Sequence, residues 1–241
     1  MKRLLIRPGA IGDCIVSLPA LEHLRADYTE VWTTETNRPL IRFADRTDTI
    51  IRSGLDALHL SDATLQRLSQ FDEIYSWYRR DGVSHLPFRF FPALPTTPGL
   101  HATDFYLNQI GAPLGAIPKL PIAWRNEGYA VIHPFSGSPK KNWPLENFRR
   151  LAETLDMPVH WIAGPEEHLP EARRFDNLWD LAHFLAGASR YIGNDSGITH
   201  LAAACGVPTT AIFLTSDPSI WAPRGPHVTV VATGLTAIRP C

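Results

Sequence analysis

The chain reads as an α/β protein made of two parallel-sheet units in tandem. Three observations carry that reading. Short apolar runs alternate with helical patterns along most of the 241 residues. The alternation is broken once, in a proline- and aromatic-rich stretch, and restarts after a Gly/Pro linker. In both halves a strand runs through a tight turn of small residues into a helix, as binding edges of parallel sheets do.

Residues 3–6 are the first expected strand. Pro8-Gly9-Ala10-Ile11-Gly12 turns the chain, and Ile15, Leu18, Leu21 and Leu24 then recur three apart on one helix face. Further strands are expected at 31–34, 49–52 and 71–77. Residues 79–101 break the pattern, with Pro87, Pro92, Pro95 and Pro98 among Phe88, Phe90 and Phe91, and a loop excursion is expected there. A helix over 102–110 and a linker over 111–118 follow. The second unit begins with a strand at 129–133, a turn, and a helix at 145–155. A strand at 159–162, helices near 166–174 and 178–186, and a strand at 190–193 come next. A helix ending at Ala204 and strands at 209–213 and 228–231 complete the unit. The division is set at 1–120 and 121–241, with a cleft between the units at the carboxyl ends of the strands.

Composition narrows the function classes. Lys+Arg is 23 against Asp+Glu 24, so bulk electrostatic binding of nucleic acid is disfavoured. No apolar run approaches the roughly 18 residues needed to span a bilayer. The start, Met1-Lys2-Arg3-Leu4-Leu5-Ile6, is basic then apolar, with an apolar part too short for a signal peptide. Cys14, Cys205 and Cys241 are an odd count without metal-ligand spacing, so neither disulfides nor zinc are expected, and a reducing cytoplasm is. The ten histidines form no HExxH motif, and neither a Walker GxxxxGK[ST] sequence nor a GxSxG elbow is present.

Four segments can carry chemistry. Arg7-Pro8-Gly9-Ala10-Ile11-Gly12-Asp13 leaves free amides at a helix start, and Asp13 is either a first-turn acid answering the helix dipole or a general base at the cleft. His133-Pro134-Phe135-Ser136-Gly137-Ser138-Pro139-Lys140-Lys141 offers hydroxyls, a glycine and cations to a diphosphate, or else is a polar loop with solvated lysines. Gly193-Asn194-Asp195-Ser196-Gly197-Ile198-Thr199-His200 again runs a strand into a helix. Its amides suit a phosphate, unless Asp195 or Ser196 only caps the helix and His200 only packs. Glu166, just beyond a strand, can take ribose hydroxyls or be an ordinary first-turn acid. Arg79, Arg80 and Arg89, with Asp81 as the one acid of their excursion, suit an anionic acceptor. Phe88, Phe90 and Phe91 either stack on sugars, touch a membrane surface, or pin the loop to the core.

Together these segments resemble glycosyltransferase family 9, the ADP-heptose:lipopolysaccharide heptosyltransferases. The resemblance rests on Arg7 to Asp13 with Leu18-Pro19-Ala20-Leu21, on His133-Pro134 through Lys141-Asn142-Trp143-Pro144, and on Gly193 to Gly197 with His200-Leu201-Ala202-Ala203-Ala204 and Gly206-Val207-Pro208. The loop with Asp217-Pro218 and Trp221-Ala222-Pro223 fits as well. It is good over 2–55 and 129–231 and poor between about 56 and 128. It implies a GT-B fold of two Rossmann-like domains and an inverting transfer without metal or other cofactor. Asp13 would then be the base and Lys141 the cation on the donor phosphate. Gly12, Ser136, Gly137, Ser138, Glu166, Asp195, Ser196, Gly197 and His200 would bind the donor, an ADP-heptose-like nucleotide sugar. Arg79, Arg80 and Arg89 would face an anionic glycan or glycolipid, with the protein in the cytoplasm or at the inner membrane face. The alternatives are a nucleotide-sugar-binding protein without transfer and a nucleotide-sugar epimerase on the same scaffold. Family members run longer, mainly in the first domain, and add a C-terminal helix where this sequence ends at Ile238-Arg239-Pro240-Cys241.

Overall fold

The computed structural model describes residues 1–232. The end at 238–241, with Cys241, lies outside the described residues. Two five-stranded parallel sheets are present. The first is built from β1 (Lys2–Ile6), β2 (Tyr28–Thr33), β3 (Arg46–Thr49), β4 (Glu73–Ser76) and β5 (Phe88–Phe90), in the order β3-β2-β1-β4-β5. The second is built from β6 (Ala130–His133), β7 (Val159–Trp161), β8 (Arg190–Asn194), β9 (Thr209–Phe213) and β10 (Val228–Ala232), in the order β10-β9-β8-β6-β7. In each sheet the winding direction reverses at one place, between β1 and β4 and between β6 and β8. Such switch points open a crevice beyond the strand ends.

The helices are α1 (Ile11–His23), α2 (Asp62–Leu68), α3 (Ala102–Gln109), α4 (Leu145–Glu153), α5 (Leu178–Gly187), α6 (Gly197–Ala204) and α7 (Pro218–Trp221). On α1, Ile15, Leu18 and Leu21 are fully buried, as their threefold spacing predicts. The largest apolar cluster does not stop at the linker. It joins Ile15, Leu18 and Tyr106 of the first half to Leu181, Leu185 and Leu201 of the second. Polar contacts brace the same junction. His101 Nε2 donates to the Ala222 carbonyl at 2.8 Å, and Arg224 pairs with Asp104 at 2.8 Å through one arm of its fork.

Three expectations are corrected, and one helix is added to them. β3 lies at Arg46–Thr49 and not at 49–52, because Thr49 Oγ1 accepts the Arg52 N–H and the chain turns through Gly54 at φ +72°. The 79–101 excursion is not all loop: Phe88–Phe90 pairs with Ile74–Ser76 as an edge strand, with Pro87 and Pro92 flanking rather than interrupting it. Residues 166–174 form no helix. Arg173 instead returns to the edge of β7, donating to the Trp161 carbonyl at 2.8 Å, and Pro170 blocks helical pairing on the way. Helix α2, for which no helical pattern was read, is capped by Ser61, whose hydroxyl accepts the Thr64 N–H. Cys14 and Cys205 are buried and unpaired.

Candidate functional site

The site lies where the two switch points face each other. From the first sheet, β1 ends and the chain turns through Gly9 at φ +141° into α1. Ala10 occupies the N-cap and has no side-chain acceptor to offer. Asp13, in the first turn, reaches back to the Ala10 N–H at 3.2 Å and stands 3.6 Å from the Arg7 guanidinium. The structure therefore gives Asp13 the helix-start role and leaves its carboxyl 21% exposed, next in sequence to the cavity-lining Gly12.

From the second sheet, β8 ends in Asn194-Asp195 and α6 begins at Gly197. Ser196 is its cap, with Oγ accepting the Thr199 N–H at 3.3 Å. Asp195 is buried. It accepts from Lys141 Nζ at 2.7 Å and from the Ser216 hydroxyl. Asn194 ties the two loops of this half together, donating to the Pro134 carbonyl at 2.8 Å and accepting the Trp143 N–H at 2.9 Å. Ser136 Oγ sits 2.6 Å from Asn142 Oδ1 and 2.8 Å from the Ser138 carbonyl, so it also closes its own loop. His200, one turn into α6, is buried. Burial first, then the nearby charges of His101 and Lys141, push it down to about 4, against the pull of Asp195 and the Trp221 carbonyl. At neutral pH its ring is uncharged.

Two glycines let the helix starts touch. A Cβ added to Gly197 would meet Ile11 Cβ at 2.7 Å and the Gly12 nitrogen at 2.8 Å. One added to Gly12 would lie 3.5 Å from His200 Cδ2 and 3.6 Å from Gly197 Cα. Two positive helix ends thus converge on one cavity of about 370 Å³, lined by Gly9, Gly12, Ser136, Gly137, Ser196 and Gly197 among others. Free amides at two dipole ends give this cavity a positive lining, the chemistry that suits an anion.

A second cavity of about 730 Å³ adjoins it, and His133, Glu167 and Ile198 line both. Its far wall is apolar, with Ile162, Ala163, Phe175 and Leu181, and its near wall is the loop after β2, with Glu35, Arg38 and Arg42. Glu167 accepts His133 Nε2–H at 2.9 Å and the Gly164 N–H at 2.6 Å. Burial works against its charged form, but these hydrogen bonds prevail and hold the carboxyl below its usual range. Arg42 stacks on Trp179 across the mouth, 4.6 Å from the ring centre. Among the described residues no cluster of three His, Cys, Asp or Glu could hold a metal, and no helix is long and apolar enough to cross a membrane.

The sequence-predicted residues divide. Gly12, Ser136, Gly137, Ser196 and Gly197 line the smaller cavity; Asp13, Lys141, Asp195 and His200 line neither cavity, but Asp13 follows Gly12, Asp195 precedes Ser196 and holds Lys141, and His200 lies against Gly12. Ser138 lines neither cavity and caps the short turn Pro139–Lys141. Glu166 is exposed and lines neither, while its neighbour Glu167 takes the inward position, because the Gly164 turn aims the second acid back at His133. Arg89 is turned the wrong way. Its guanidinium pairs with Glu73 at 2.7 Å, at the amino end of β4 and far from the crevice. Arg79 and Arg80 do follow the carboxyl end of β4, with Arg80 donating to the Leu58 carbonyl at 3.2 Å, yet neither lines either cavity. Phe91 stacks on Trp77, 5.3 Å between ring centres, and Phe88 packs on the other face of the sheet, so both pin the excursion, while Phe90 stays exposed. Asn194 and Glu167 stand inside motifs that the sequence marks, without the roles the structure gives them, whereas Ser216 and the wall at 35–42 carry no mark there. Glu167 is marked by its place beside the Ala163-Gly164 turn and Asn194 by the strand-to-helix turn it belongs to.

The family model described as "Glycosyltransferase family 9 (heptosyltransferase)" matches residues 107–239. The chain belongs to glycosyltransferase family 9. A curated relative, lipopolysaccharide heptosyltransferase 1 of Salmonella typhimurium, is 29% identical over 110 residues, spanning 39% of this chain and 35%, about a third, of that protein's length. Among solved structures, E. coli heptosyltransferase WaaC with ADP superposes with a TM-score of 0.71 at 17% identity, covering 96% of this chain and 93% of that one. E. coli ADP-heptose lps heptosyltransferase II superposes with a TM-score of 0.76 at 16% identity, covering 96% and 90%. The family-9 chain therefore has the GT-B fold of these heptosyltransferases, with two parallel-sheet domains.

Proposed function

We propose that the protein is an inverting glycosyltransferase that moves a heptose-like sugar from ADP-heptose to an anionic glycan or glycolipid. One observation carries the reading: the contact of Gly12 with Gly197, which gathers two helix N-termini around one cavity beside the Asp13 carboxylate. A diphosphate fits the charge of that cavity, and a nucleoside fits the half-apolar cavity next to it, with Glu167 as the ribose acid. Family membership supports the donor class, as does an E. coli WaaC structure holding ADP-2-deoxy-2-fluoro heptose, a protein 17% identical with a TM-score of 0.64. The residues divide functionally at 1–120 and 121–241, with the acceptor side first and the donor side second.

The chemistry is a single displacement. The acceptor oxygen attacks the anomeric carbon from the face opposite the diphosphate, its proton passes to Asp13, and the bond from that carbon to the diphosphate oxygen breaks. Charge growing on the departing diphosphate meets the Gly197 and Ile198 amides and Lys141, released from Asp195 toward the phosphate. One such donor is worth about 3–4 kcal/mol of barrier in comparable oxyanion sites. These groups neutralise the leaving group without a divalent ion. The acceptor approaches from the first half, with Arg79 and Arg80 the remaining cations of the excursion. The reaction is placed in the cytoplasm, with the acceptor reached at the membrane surface.

The test is calorimetry with ADP, UDP and GDP, then product analysis of ADP-heptose with and without a heptose-free lipopolysaccharide extract, in buffer and in EDTA. ADP binding, acceptor-dependent transfer with inverted anomeric configuration, and indifference to EDTA are expected. Sugar released or epimerised without acceptor, or activity lost in EDTA and restored by Mn²⁺, overturns the reading.

A further inference from the structure

Arg7 stands behind Asp13, the base of the transfer proposed above, and its role rests on that reading. Arg7 follows the last residue of β1 and is 2% exposed. A buried guanidinium is costly without a counter-charge. Its counter-charge is Asp13, whose Oδ1 stands 3.6 Å from Nη2 and whose carbonyl stands 3.4 Å from the same nitrogen. Nη1 donates to the Pro8 carbonyl at 2.5 Å. Nη2 also donates to the Tyr106 hydroxyl at 2.8 Å, and that hydroxyl passes its own hydrogen to the Ala93 carbonyl at 2.7 Å. Tyr106 is fully buried on α3, and burial pushes its phenol up to about 12, so it stays a hydroxyl with both of its roles used.

Two details separate this cluster from ordinary packing. The Arg7 Nε is buried without a partner, so the guanidinium is held through its fork alone, by the Pro8 and Asp13 carbonyls and the Tyr106 hydroxyl, with the Asp13 carboxylate as its counter-charge at 3.6 Å. Gly9 stands where a Cβ would meet Arg7 Nη1 at 3.0 Å and Asp13 Cβ at 3.1 Å, so the turn is shaped to let the two side chains close on each other. Arg7 is buried where Asp13 keeps 21% of its side chain exposed, so of the two it is the carboxylate that solvent reaches.

We propose that Arg7, held by Tyr106, is a positioning residue that fixes the Asp13 carboxylate at the start of α1 in the orientation that receives the acceptor proton. The buttress comes from α3, in the stretch where the sequence resembles the family least. A base displaced by about 1 Å loses on the order of 100-fold in rate.

The test uses the full chain with Arg7→Met, Arg7→Lys and Tyr106→Phe, assayed with ADP-heptose and the heptose-free lipopolysaccharide extract. Arg7→Met is expected to lower kcat about 100-fold while the donor KM and the calorimetric ADP affinity stay within about twofold. Arg7→Lys keeps the charge without the fork and is expected to recover about tenfold of that loss. Tyr106→Phe, which removes one oxygen, is expected to cost about fivefold in kcat. The proposal is overturned by a folded Arg7→Met with kcat within threefold of wild type, by Arg7→Lys no more active than Arg7→Met, or by ADP affinity falling in step with kcat. Loss of fold in all three variants assigns the cluster to stability and overturns it too. A wild-type chain that binds ADP but never turns over removes the transferase reading itself, which the variants' behaviour does not mimic.

Discussion

The N-termini of α1 and α6 touch, and the same strand–turn–helix logic builds both, yet they are finished with opposite signs. At α1 the acid, Asp13, lies inside the first turn, and its cation, Arg7, is buried behind it. At α6 the acid, Asp195, is buried behind the cap, and its cation, Lys141, is the more exposed partner at 36%. The cap differs in the same sense: Ala10 leaves α1 without a side-chain acceptor, while Ser196 closes α6. A helix start attracts anions by its dipole alone. Which member of the ion pair is buried decides whether the cleft meets a carboxylate or a cation there. That asymmetry suits a reaction in which one side takes a proton and the other takes a diphosphate.

Removing the carboxylate breaks the comparison most severely. Asp13→Asn is expected to lower kcat by about 10²–10⁴ with ADP affinity little changed, measured by steady-state transfer and calorimetry. Full activity would leave Asp13 as a helix-start acid only. The contact itself is tested by Gly197→Ala. Its Cβ would fall 2.7 Å from Ile11 Cβ and 2.8 Å from the Gly12 nitrogen, and the latter is backbone that cannot swing aside. Overpacking of this kind costs about 1–3 kcal/mol. Expected are a Tm several degrees lower and ADP affinity reduced more than tenfold. Unchanged calorimetry would mean that the helix starts have room to part.

Much of this comparison was legible in the sequence. Threefold spacing of Ile15, Leu18 and Leu21 fixed the buried face of α1, and the Gly-rich turns marked both helix starts, because strand-to-helix turns leave local chemical signatures. What failed was what depends on return paths. Residues 166–174 carry a helix-compatible pattern, yet Arg173 finds a better partner in Trp161. The choice of Glu167 over Glu166 is made by the Gly164 N–H and by His133, 34 residues distant in sequence. Arg89 looked like a companion of Arg79 and Arg80 because it lies close in sequence. Its strand pairing sends it to Glu73 at the amino end of the neighbouring β4, away from the crevice. The buttress from Tyr106 to Arg7 joins residues 99 apart and leaves no local mark.

The cation side of the comparison is sharpened by Lys141→Ala. The lysine pairs with Asp195, two residues before α6, and needs a negative ligand to draw it away. ADP affinity is expected to fall about tenfold and adenosine affinity to stay within about twofold, both by calorimetry. Equal losses would assign Lys141 to holding Asp195 in place, with no preference for phosphate.

The smallest expected effect separates the interiors of the two helix starts. Behind α6 lies His200, uncharged and buried, with its pKa pushed down to about 4 from an ordinary value near 6.5. No histidine lies within the matching first turns of α1. A depressed folded pKa means that the unfolded chain binds the proton first. The stability it contributes is complete above about pH 6.5 and drains away as the pH falls toward 4. The expected loss between pH 7 and 5.5 is about 1 kcal/mol from this residue, since one pKa unit corresponds to about 1.4 kcal/mol. His101, also pushed down by burial, adds to it in the same direction. His200→Asn is expected to flatten the pH dependence of urea unfolding over that window, whatever it does to stability at pH 7. The slope is the quantity that decides, because a cavity left by the smaller side chain lowers stability equally at every pH. An unchanged slope would place the acid sensitivity elsewhere, with His101 the next group to substitute.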